Sequence, residues 1–233
     1  MLREVKLLWR IKGTRKHLRN TDSAFLHPLG QAAACFDRAA YLLALSRGKQ
    51  VLHFGFLDLP LLEAKLVSGE LLHTHLKEVA LSLYGVDIDT RGLEMYRRIS
   101  GDRENTILDI QDEGVDLSGL ARNFEVILFP EVLEHLQNPG TALLNLHRLC
   151  RANGGSVLCV TVPNAFSVEG FVSALDGTEI VHPEHYYYFS PYTLRKLLAD
   201  CGYKKVSLSY YASSHSMDSP GLTKNGLIAL CEA

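Results

Sequence analysis

Short apolar runs alternate with amphipathic stretches along most of the chain. The runs are rich in β-branched residues and nearly continuous in apolar residues, which is typical of buried strands, while the stretches between them repeat apolar residues at helical spacing. This pattern predicts strands over residues 50–54, 81–87, 106–109, 124–129 and 155–162, with helices over 60–79, 89–99, 114–121 and 131–152 between them.

The last third of the chain has a different pattern. A helix is predicted over 191–201, because Ser190 can cap it, Pro191 suits its first position and Gly202 can end it. Two further strands, over 205–211 and 226–231, can pair as an antiparallel hairpin. The chain is therefore predicted to be an α/β protein with a doubly wound, mostly parallel seven-stranded sheet that ends in this hairpin. Such sheets bind ligands at the carboxyl ends of their strands.

The first 20 residues carry a net charge of +6, so the rest of the chain carries −8. Apolar residues around Trp9 can share one side of a short helix, and a basic amphipathic segment of this kind can make peripheral contact with an anionic membrane surface. The alternative is a solvated helix that packs on the core. A second helix is predicted over 30–46. We therefore expect a basic, helical extension over 1–46 and one domain over 47–233.

Composition excludes several classes of protein. The chain has 233 residues, 47% hydrophobic and 21% charged, which suits a globular protein with its own core. A net charge of −2 disfavours a protein that coats nucleic acid. The five cysteines are scattered and form no C-x-x-C pair, which favours reduced thiols. With no signal peptide and no apolar stretch of about 18 residues, a cytoplasmic location is expected.

A first candidate binding residue stands at the tip of the second predicted strand. The run Y-G-V-D-I-D over 84–89 ends that strand at Asp87. A carboxylate only accepts hydrogen bonds, so it can take both ribose hydroxyls of a nucleoside. Asp89 is better placed to cap the following helix, and Asp87 is therefore predicted to stay free for a ligand.

A second candidate group follows the fourth strand, in the run F-P-E-V-L-E-H over 129–135. If the segment is helical, Glu131, Glu134 and His135 have the i, i+3, i+4 spacing of one helix face. Later in the chain, His185 begins the run H-Y-Y-Y-F-S-P that leads into the helix at 191.

These motifs, in this order, resemble the class I S-adenosylmethionine-dependent methyltransferases, and within them the group with an E-V-L-E-H segment. The likeness covers residues 50–233 and implies a Rossmann-like fold with S-adenosyl-L-methionine as cofactor. By this resemblance Asp87 binds the ribose, Asp109 lies by the adenine amino group, and Phe129, Pro130 and Glu131 line the methionine end and the acceptor site. The implied cofactor-binding residues are Gly55, Asp58, Asp87, Ile88, Asp109, Ile110, Phe129 and Pro130.

The chain departs from this family at the turn after the first predicted strand. The family has an acid and several glycines there, whereas this chain reads V-L-H-F-G-F-L-D-L-P over 51–60. Gly55 is retained, His53 replaces the acid, and Leu57 and Leu59 replace later glycines. Glycines at this turn let the backbone approach a ligand closely. Asp58, or His73 from the longer stretch before Asp87, is expected to replace the missing contacts.

Methyl transfer to an alcohol requires removal of the acceptor's proton. His135 is the first candidate for this base, His185 the second and His182 the third, because a neutral imidazole accepts a proton near pH 7. Glu131 is a further catalytic candidate. The three tyrosines at 186–188, in an acidic segment over 176–188, suit a sugar or a planar ring. We therefore expect O-methylation of a small hydroxylated acceptor, such as a sugar, a glycan precursor or a natural product, and no nucleic-acid partner.

Two other interpretations stay open. Glu131, Glu134, His135 and His185 resemble the metal-binding set of RNA 2′-O-methyltransferases that modify small-RNA 3′ ends, but a divalent metal is not favoured. The altered turn is also compatible with a methyltransferase fold that has lost its cofactor and serves as an interaction subunit. A dehydrogenase or epimerase is disfavoured, because no G-x-G-x-x-G follows the first strand.

Overall fold

The computed structural model describes residues 35–212 and 225–233. They belong to one compact unit. The predicted basic segment over 1–20 lies outside the described residues, as does the first part of the helix predicted over 30–46.

One sheet organises the unit, with the strand order β1-β7-β8-β6-β5-β2-β3-β4. Strand β8 runs antiparallel to β6 and β7, and the other neighbouring pairs are parallel. This confirms the predicted α/β fold class and its antiparallel end, and the described residues add a short edge strand, β1, to the seven that were predicted. The strands are β1 Cys35–Phe36, β2 Gln50–Phe54, β3 Ser82–Asp87, β4 Asn105–Ile107, β5 Val126–Pro130, β6 Val157–Pro163, β7 Lys204–Tyr211 and β8 Gly226–Glu232.

Helices follow most of the parallel strands and cover both faces of the sheet. Two short 3-10 turns, Ser118–Leu120 and Leu133–His135, lie on either side of β5 in the chain. The helices are α1 Arg38–Ser46, α2 Leu62–Ser68, α3 Leu72–Val79, α4 Thr90–Ser100, α5 Pro139–Ala152, α6 Val168–Leu175 and α7 Pro191–Asp200.

Two of the predicted helices have different bounds in the structure. The helix predicted over 30–46 begins at Arg38, because the Asp37 side chain caps it by accepting a 2.8 Å hydrogen bond from Ala40 N–H. The helix predicted over 60–79 is two helices, α2 and α3. Gly69 ends the first of them at φ +75°, a left-handed conformation that glycine adopts without strain.

The predicted helix over 131–152 is also interrupted. Glu131 has φ +52°, the next residues form only a 3-10 turn, and α5 begins at Pro139 with Asn138 as its cap. The prediction that Glu131, Glu134 and His135 share one helical face is therefore wrong. The stretch predicted as a helix over 114–121 contains a single 3-10 turn.

Strand β5 shows how the sheet divides the core. Ile127 and Phe129 pack with α5 and α7 on one face, whereas Val126 and Leu128 pack with α1 and α3 on the other. All four side chains are buried, as the alternation of side chains along a strand covered on both faces requires. The carboxyl ends of β2, β3, β4 and β5 consequently lie at one edge, where the strand order reverses between β2 and β5.

Helix α1 belongs to the same compact unit as the sheet. Its Leu42 is fully buried among residues of β2, β5 and α3. The predicted domain boundary at residue 46 would thus separate α1 from the strands against which it packs. The extension over 1–46 as a whole stays a prediction. In the described part of the chain, no helix is long and apolar enough to cross a membrane.

Candidate active site

Gly55 directly follows β2, at the edge where the parallel strands finish. Its N–H donates to Val86 O at 2.8 Å, and its φ is +63°. A Cβ at this position would overlap Val132 Cγ2, from the segment that follows β5. Glycine is therefore required here on two counts, because the turn has a left-handed backbone and passes tightly against Val132.

Apolar side chains fill the turn after Gly55. The Phe56 ring lies 4.3 Å from the His73 ring and 5.1 Å from that of Tyr96, centroid to centroid. Phe56 and Leu57 are buried in a cluster with residues of α2 and α4, whereas Leu59 is exposed. Of the two leucines that replace glycines, Leu57 thus packs into the protein and Leu59 does not.

The Asp87 carboxylate is not free, contrary to the prediction. One oxygen accepts from Leu57 N–H at 2.9 Å, and the other accepts from Ile88 N–H and Asp89 N–H at 2.8 and 3.2 Å. Burial is the main influence on the pKa of Asp87 and raises it, while these N–H groups lower it. Since an ionised carboxylate offers about four lone-pair sites, Asp87 can accept roughly one further hydrogen bond. Asp89 caps α4, as predicted.

His53, which stands where the family has an acid, pairs with His73 of α3. Their Nδ1 atoms are 3.1 Å apart, so one ring donates to the other. Both rings are buried, and burial lowers the pKa of His53 well below its usual range and that of His73 to about 3. His73 therefore ties α3 to β2 as half of a neutral pair, beneath the Phe56 ring.

The remaining predicted cofactor residues fall into two groups. Asp58, Ile88 and Asp109 are exposed near the strand ends, and Asp58 forms an ion pair with Lys65. Asp109 accepts from Gln111 N–H at 2.9 Å.

The side chains of Ile110 and Phe129, by contrast, belong to the main core. Phe129 packs edge-on against Phe54, with ring centroids 5.7 Å apart, and Pro130 is buried at the end of β5. Phe129 is fully buried and Ile110 is 4% exposed, so a ligand has little or no access to these two side chains.

Glu131 occupies the centre of a polar network that the sequence analysis missed. Its carboxylate accepts from Thr161 Oγ1 at 2.7 Å and from Tyr211 O–H at 2.8 Å, and it lies 3.4 Å from the Arg38 guanidinium. Burial raises the pKa of Tyr211, as does the nearby Glu131. No local motif marks Arg38, Thr161 or Tyr211, since each comes from a different element and only the sheet brings them together.

Glu134 is buried beside this network. Its Oε2 has no hydrogen-bond partner among the described residues, and its carbonyl accepts from Tyr186 N–H at 2.8 Å. Burial raises the pKa of Glu134 well above its usual range, and the negative charge of Glu131 adds to this. Glu134 is thus held as an uncharged acid near neutral pH.

His135 meets His182 and His185 from the segment before α7. Its ring lies 4.5 Å from that of His185 and 5.7 Å from that of His182, and its Nδ1 is 3.9 Å from a Glu184 oxygen. Burial lowers the pKa of His135 and of His185, so both are neutral near pH 7 and able to accept a proton. The structure therefore brings all three predicted base candidates together and adds Glu184, which the sequence analysis did not single out.

The three tyrosines at 186–188 are exposed beside these histidines. Gln137 contacts two of them. Its side-chain amide donates to Tyr186 Oη at 2.9 Å, and its main-chain carbonyl accepts from Tyr187 O–H at 3.2 Å. Tyr188 Oη accepts from His182 N–H at 3.0 Å. Hydrogen bonds thus tie this aromatic segment to the turn that carries His135.

Solved structures with the same fold come from several methyltransferases. A S-adenosylmethionine-dependent methyltransferase from Thermotoga maritima, described as a possible histamine N-methyltransferase, is 14% identical, with a TM-score of 0.58 over 83% of this chain and 86% of that one. A second such enzyme, from Archaeoglobus fulgidus, is 15% identical, with a TM-score of 0.53 over 83% of this chain and 90% of that one. The small RNA methyltransferase HEN1 is 18% identical, with a TM-score of 0.58 over 90% of this chain and 27% of that one.

No curated protein matches the chain. Residues 67–208 match the family described as a methyltransferase domain. This match and the solved structures confirm the predicted methyltransferase family and the Rossmann-like fold. The neighbours with this fold include S-adenosylmethionine-dependent enzymes and a magnesium protoporphyrin IX methyltransferase with bound S-adenosylhomocysteine. Because the matched span is more than half of the chain, the protein belongs to the methyltransferase domain family.

Proposed function

We propose that the protein is a S-adenosylmethionine-dependent O-methyltransferase that acts on a small hydroxylated acceptor. The observation that carries the proposal is the cluster of three histidines, in which His182 and His185 meet His135 of the turn after β5, at the edge where parallel α/β sheets bind ligands. Two of them, His135 and His185, are neutral near pH 7 because burial lowers their pKa values.

The cofactor would lie along the strand ends, between Gly55 and the segment after β5. Gly55 is exposed at the end of β2, where the turn packs against Val132, and Asp87 keeps acceptor capacity for one hydroxyl donor. Ile88 and Asp109 add an exposed apolar side chain and an exposed carboxylate at the neighbouring strand ends. These features fit a cofactor whose nucleoside is held at the ends of β3 and β4 and whose methionine part reaches Gly55.

S-adenosylmethionine supplies a methyl group already activated on a sulfonium, so the protein has to align the acceptor and remove its proton. With the cofactor bound, its methyl group would be transferred to the acceptor oxygen and its sulfur would be the leaving group, while His135 would take the proton of the acceptor hydroxyl. The negative charge of Glu131 acts to raise the pKa of His135 and so favours the protonated form of this base. The tyrosines at 186–188 offer exposed rings and hydroxyls, which suit a sugar or a planar ring.

A second candidate is a methyltransferase fold that serves as an interaction subunit. The observation in its favour is the turn after Gly55, where Phe56 and Leu57 are buried. Leu57 N–H also occupies one of the acceptor sites of the Asp87 carboxylate. Binding of the cofactor separates the two candidates, because the interaction subunit would not bind it.

The test of the proposed chemistry is S-adenosylhomocysteine formation with a panel of hydroxylated acceptors. With an active acceptor, His135→Ala should lower kcat by about 100-fold or more, because general-base catalysis is lost, and should leave cofactor affinity nearly unchanged. His147→Ala, a histidine that packs against Tyr203 away from this cluster, is the matched control. Equal kcat for His135→Ala and the control would remove His135 from the reaction.

A further inference from the structure

Three histidines form a cluster in which one ring nitrogen of each lies within 4.8 Å of the others. His135 comes from the 3-10 turn after β5, whereas His182 and His185 come from the segment between α6 and α7. The His182 and His185 rings are 4.6 Å apart, centroid to centroid, and tilted by 33°. Three imidazoles from two separate parts of the chain thus converge on one point.

The hydrogen bonds of the cluster are incomplete. Nδ1 of His185 is buried and has no partner among the described residues. Nδ1 of His182 receives only a 3.3 Å contact from Glu184 N–H, near the limit for a hydrogen bond, so the ring can exchange this contact for another ligand. A buried nitrogen without a partner is unfavourable unless it binds something, and an imidazole nitrogen binds either a proton donor or a metal ion.

Neither carboxylate of the E-V-L-E-H run belongs to the cluster. Glu131 is held by Thr161, Tyr211 and Arg38, and the buried Glu134 is not among the side chains whose ligand atoms lie within 4.8 Å of one another. The described residues therefore present three imidazoles rather than a set of two carboxylates and two histidines. Imidazole nitrogen suits zinc and its neighbours in the transition series, whereas magnesium prefers oxygen ligands.

We propose that His135, His182 and His185 form a binding site for a zinc-like divalent transition-metal ion, at the edge of the sheet beyond β5. Glu184 supports the site, because its carboxylate is 3.9 Å from His135 Nδ1 and can orient that ring or balance the charge of the ion. Three protein ligands leave a fourth position open for water or an acceptor oxygen. His135 cannot take the acceptor's proton while it holds the ion, so its role as base in the proposed function applies to the metal-free protein. Binding of the ion does not depend on that role.

The experiment is a calorimetric titration of metal-free, untagged protein with Zn²⁺, repeated with Mg²⁺ and followed with Co²⁺ by visible absorption. The wild type should bind one Zn²⁺ in the cluster, give the intense Co²⁺ bands of a tetrahedral site, and show no heat with Mg²⁺. No cofactor is present, so the result is separate from that of the methyltransferase assay.

Four variants test the roles of His182 and Glu184 in binding the ion. His182→Ala, at an exposed position, should weaken Zn²⁺ binding more than Glu184→Gln, for which loss of an outer-shell partner predicts about a 10-fold decrease. Glu131→Gln should leave the affinity unchanged, as should His75→Ala, a control histidine on α3 outside the cluster. Zn²⁺ bound by histidines elsewhere contributes equally to the titrations of a variant and of the wild type, so it does not affect the difference between them.

The proposal is overturned if the wild type does not bind Zn²⁺, or if His182→Ala and His75→Ala change binding equally. Loss of binding in Glu131→Gln with normal binding in His182→Ala would instead assign the ion to the carboxylate-containing set. Circular dichroism of each variant confirms that the fold is retained.

Discussion

At the scale of single residues, Gly55 and Asp87 show what the sequence could and could not predict. The need for glycine at 55 followed from the motif, but its physical reason, the overlap with Val132, requires the structure. The Asp87 carboxylate was predicted to stay free for a ligand, without hydrogen-bond partners in the protein. Instead Leu57, 30 residues earlier in the chain, donates to it, and no spacing rule relates those two positions.

Replacing Gly55 tests the close approach of its turn to Val132. Gly48 is a matched control, because it also has a left-handed backbone, φ +68°, but no atom lies within 4 Å of a Cβ built there. Gly48→Ala should cost only the backbone strain, about 1–2 kcal/mol of unfolding free energy. Gly55→Ala should cost about 1–3 kcal/mol more because of the overlap.

Urea unfolding of a double-mutant cycle with Val132→Ala separates the two contributions. In the Val132→Ala background, the cost of Gly55→Ala should fall to that of Gly48→Ala. If Val132→Ala leaves the cost of Gly55→Ala unchanged, Val132 does not restrict the turn.

At the scale of elements, the strands and α7 were predicted closely, because continuous apolar runs and a Ser-Pro start are strong local signals. The breaks in longer helices were not. Gly69 inside an otherwise helical pattern ends α2, and the left-handed Glu131 is stabilised by Thr161 and Tyr211, which are distant in sequence. Breaks that depend on such long-range contacts have no signature in the local pattern.

The pairing of β2 with α3 through His53 and His73 predicts a pH-dependent stability. The folded-state pKa values of both residues lie below 6.5, so the unfolded chain binds more protons and the folded state loses stability as pH falls below about 6.5, towards the pKa of about 3 for His73. The negative charge of Asp102 opposes this effect at His73, while Lys77 and, at His53, Arg38 add to it. Each excess proton corresponds to about 1.4 kcal/mol per pH unit.

Chemical denaturation between pH 5 and pH 7.5 measures this effect. His73→Leu should be less stable at pH 7.5, because it leaves His53 Nδ1 unpaired, but its stability should fall less steeply between pH 6 and pH 5, by up to about 1.4 kcal/mol per pH unit. His75→Leu, on the same helix, should keep the wild-type slope. The assignment to the pair is wrong if His73→Leu and His75→Leu have the same slope.

At the scale of the whole molecule, the alternation of strands and helices was sufficient to predict the sheet and the edge at which ligands bind. The order of the strands then explains why the candidate site draws on β2, β3, β4 and β5 together. What the pattern could not show is the assembly around Glu131 and around His135. Those clusters bring in residues of α1, β6, β7 and the segment before α7, whose contacts exist only once the sheet has formed.

The most direct test of the whole account is a calorimetric titration with S-adenosylhomocysteine of the wild type, of Asp87→Asn and of Asp116→Asn, an exposed control aspartate. The wild type and the control should bind with micromolar affinity and be stabilised by the ligand against heat. Asp87→Asn should bind more weakly by about 1–3 kcal/mol, since a charge-assisted hydrogen bond is lost. A wild type that neither binds S-adenosylhomocysteine nor is stabilised by it would contradict the account and favour the interaction subunit.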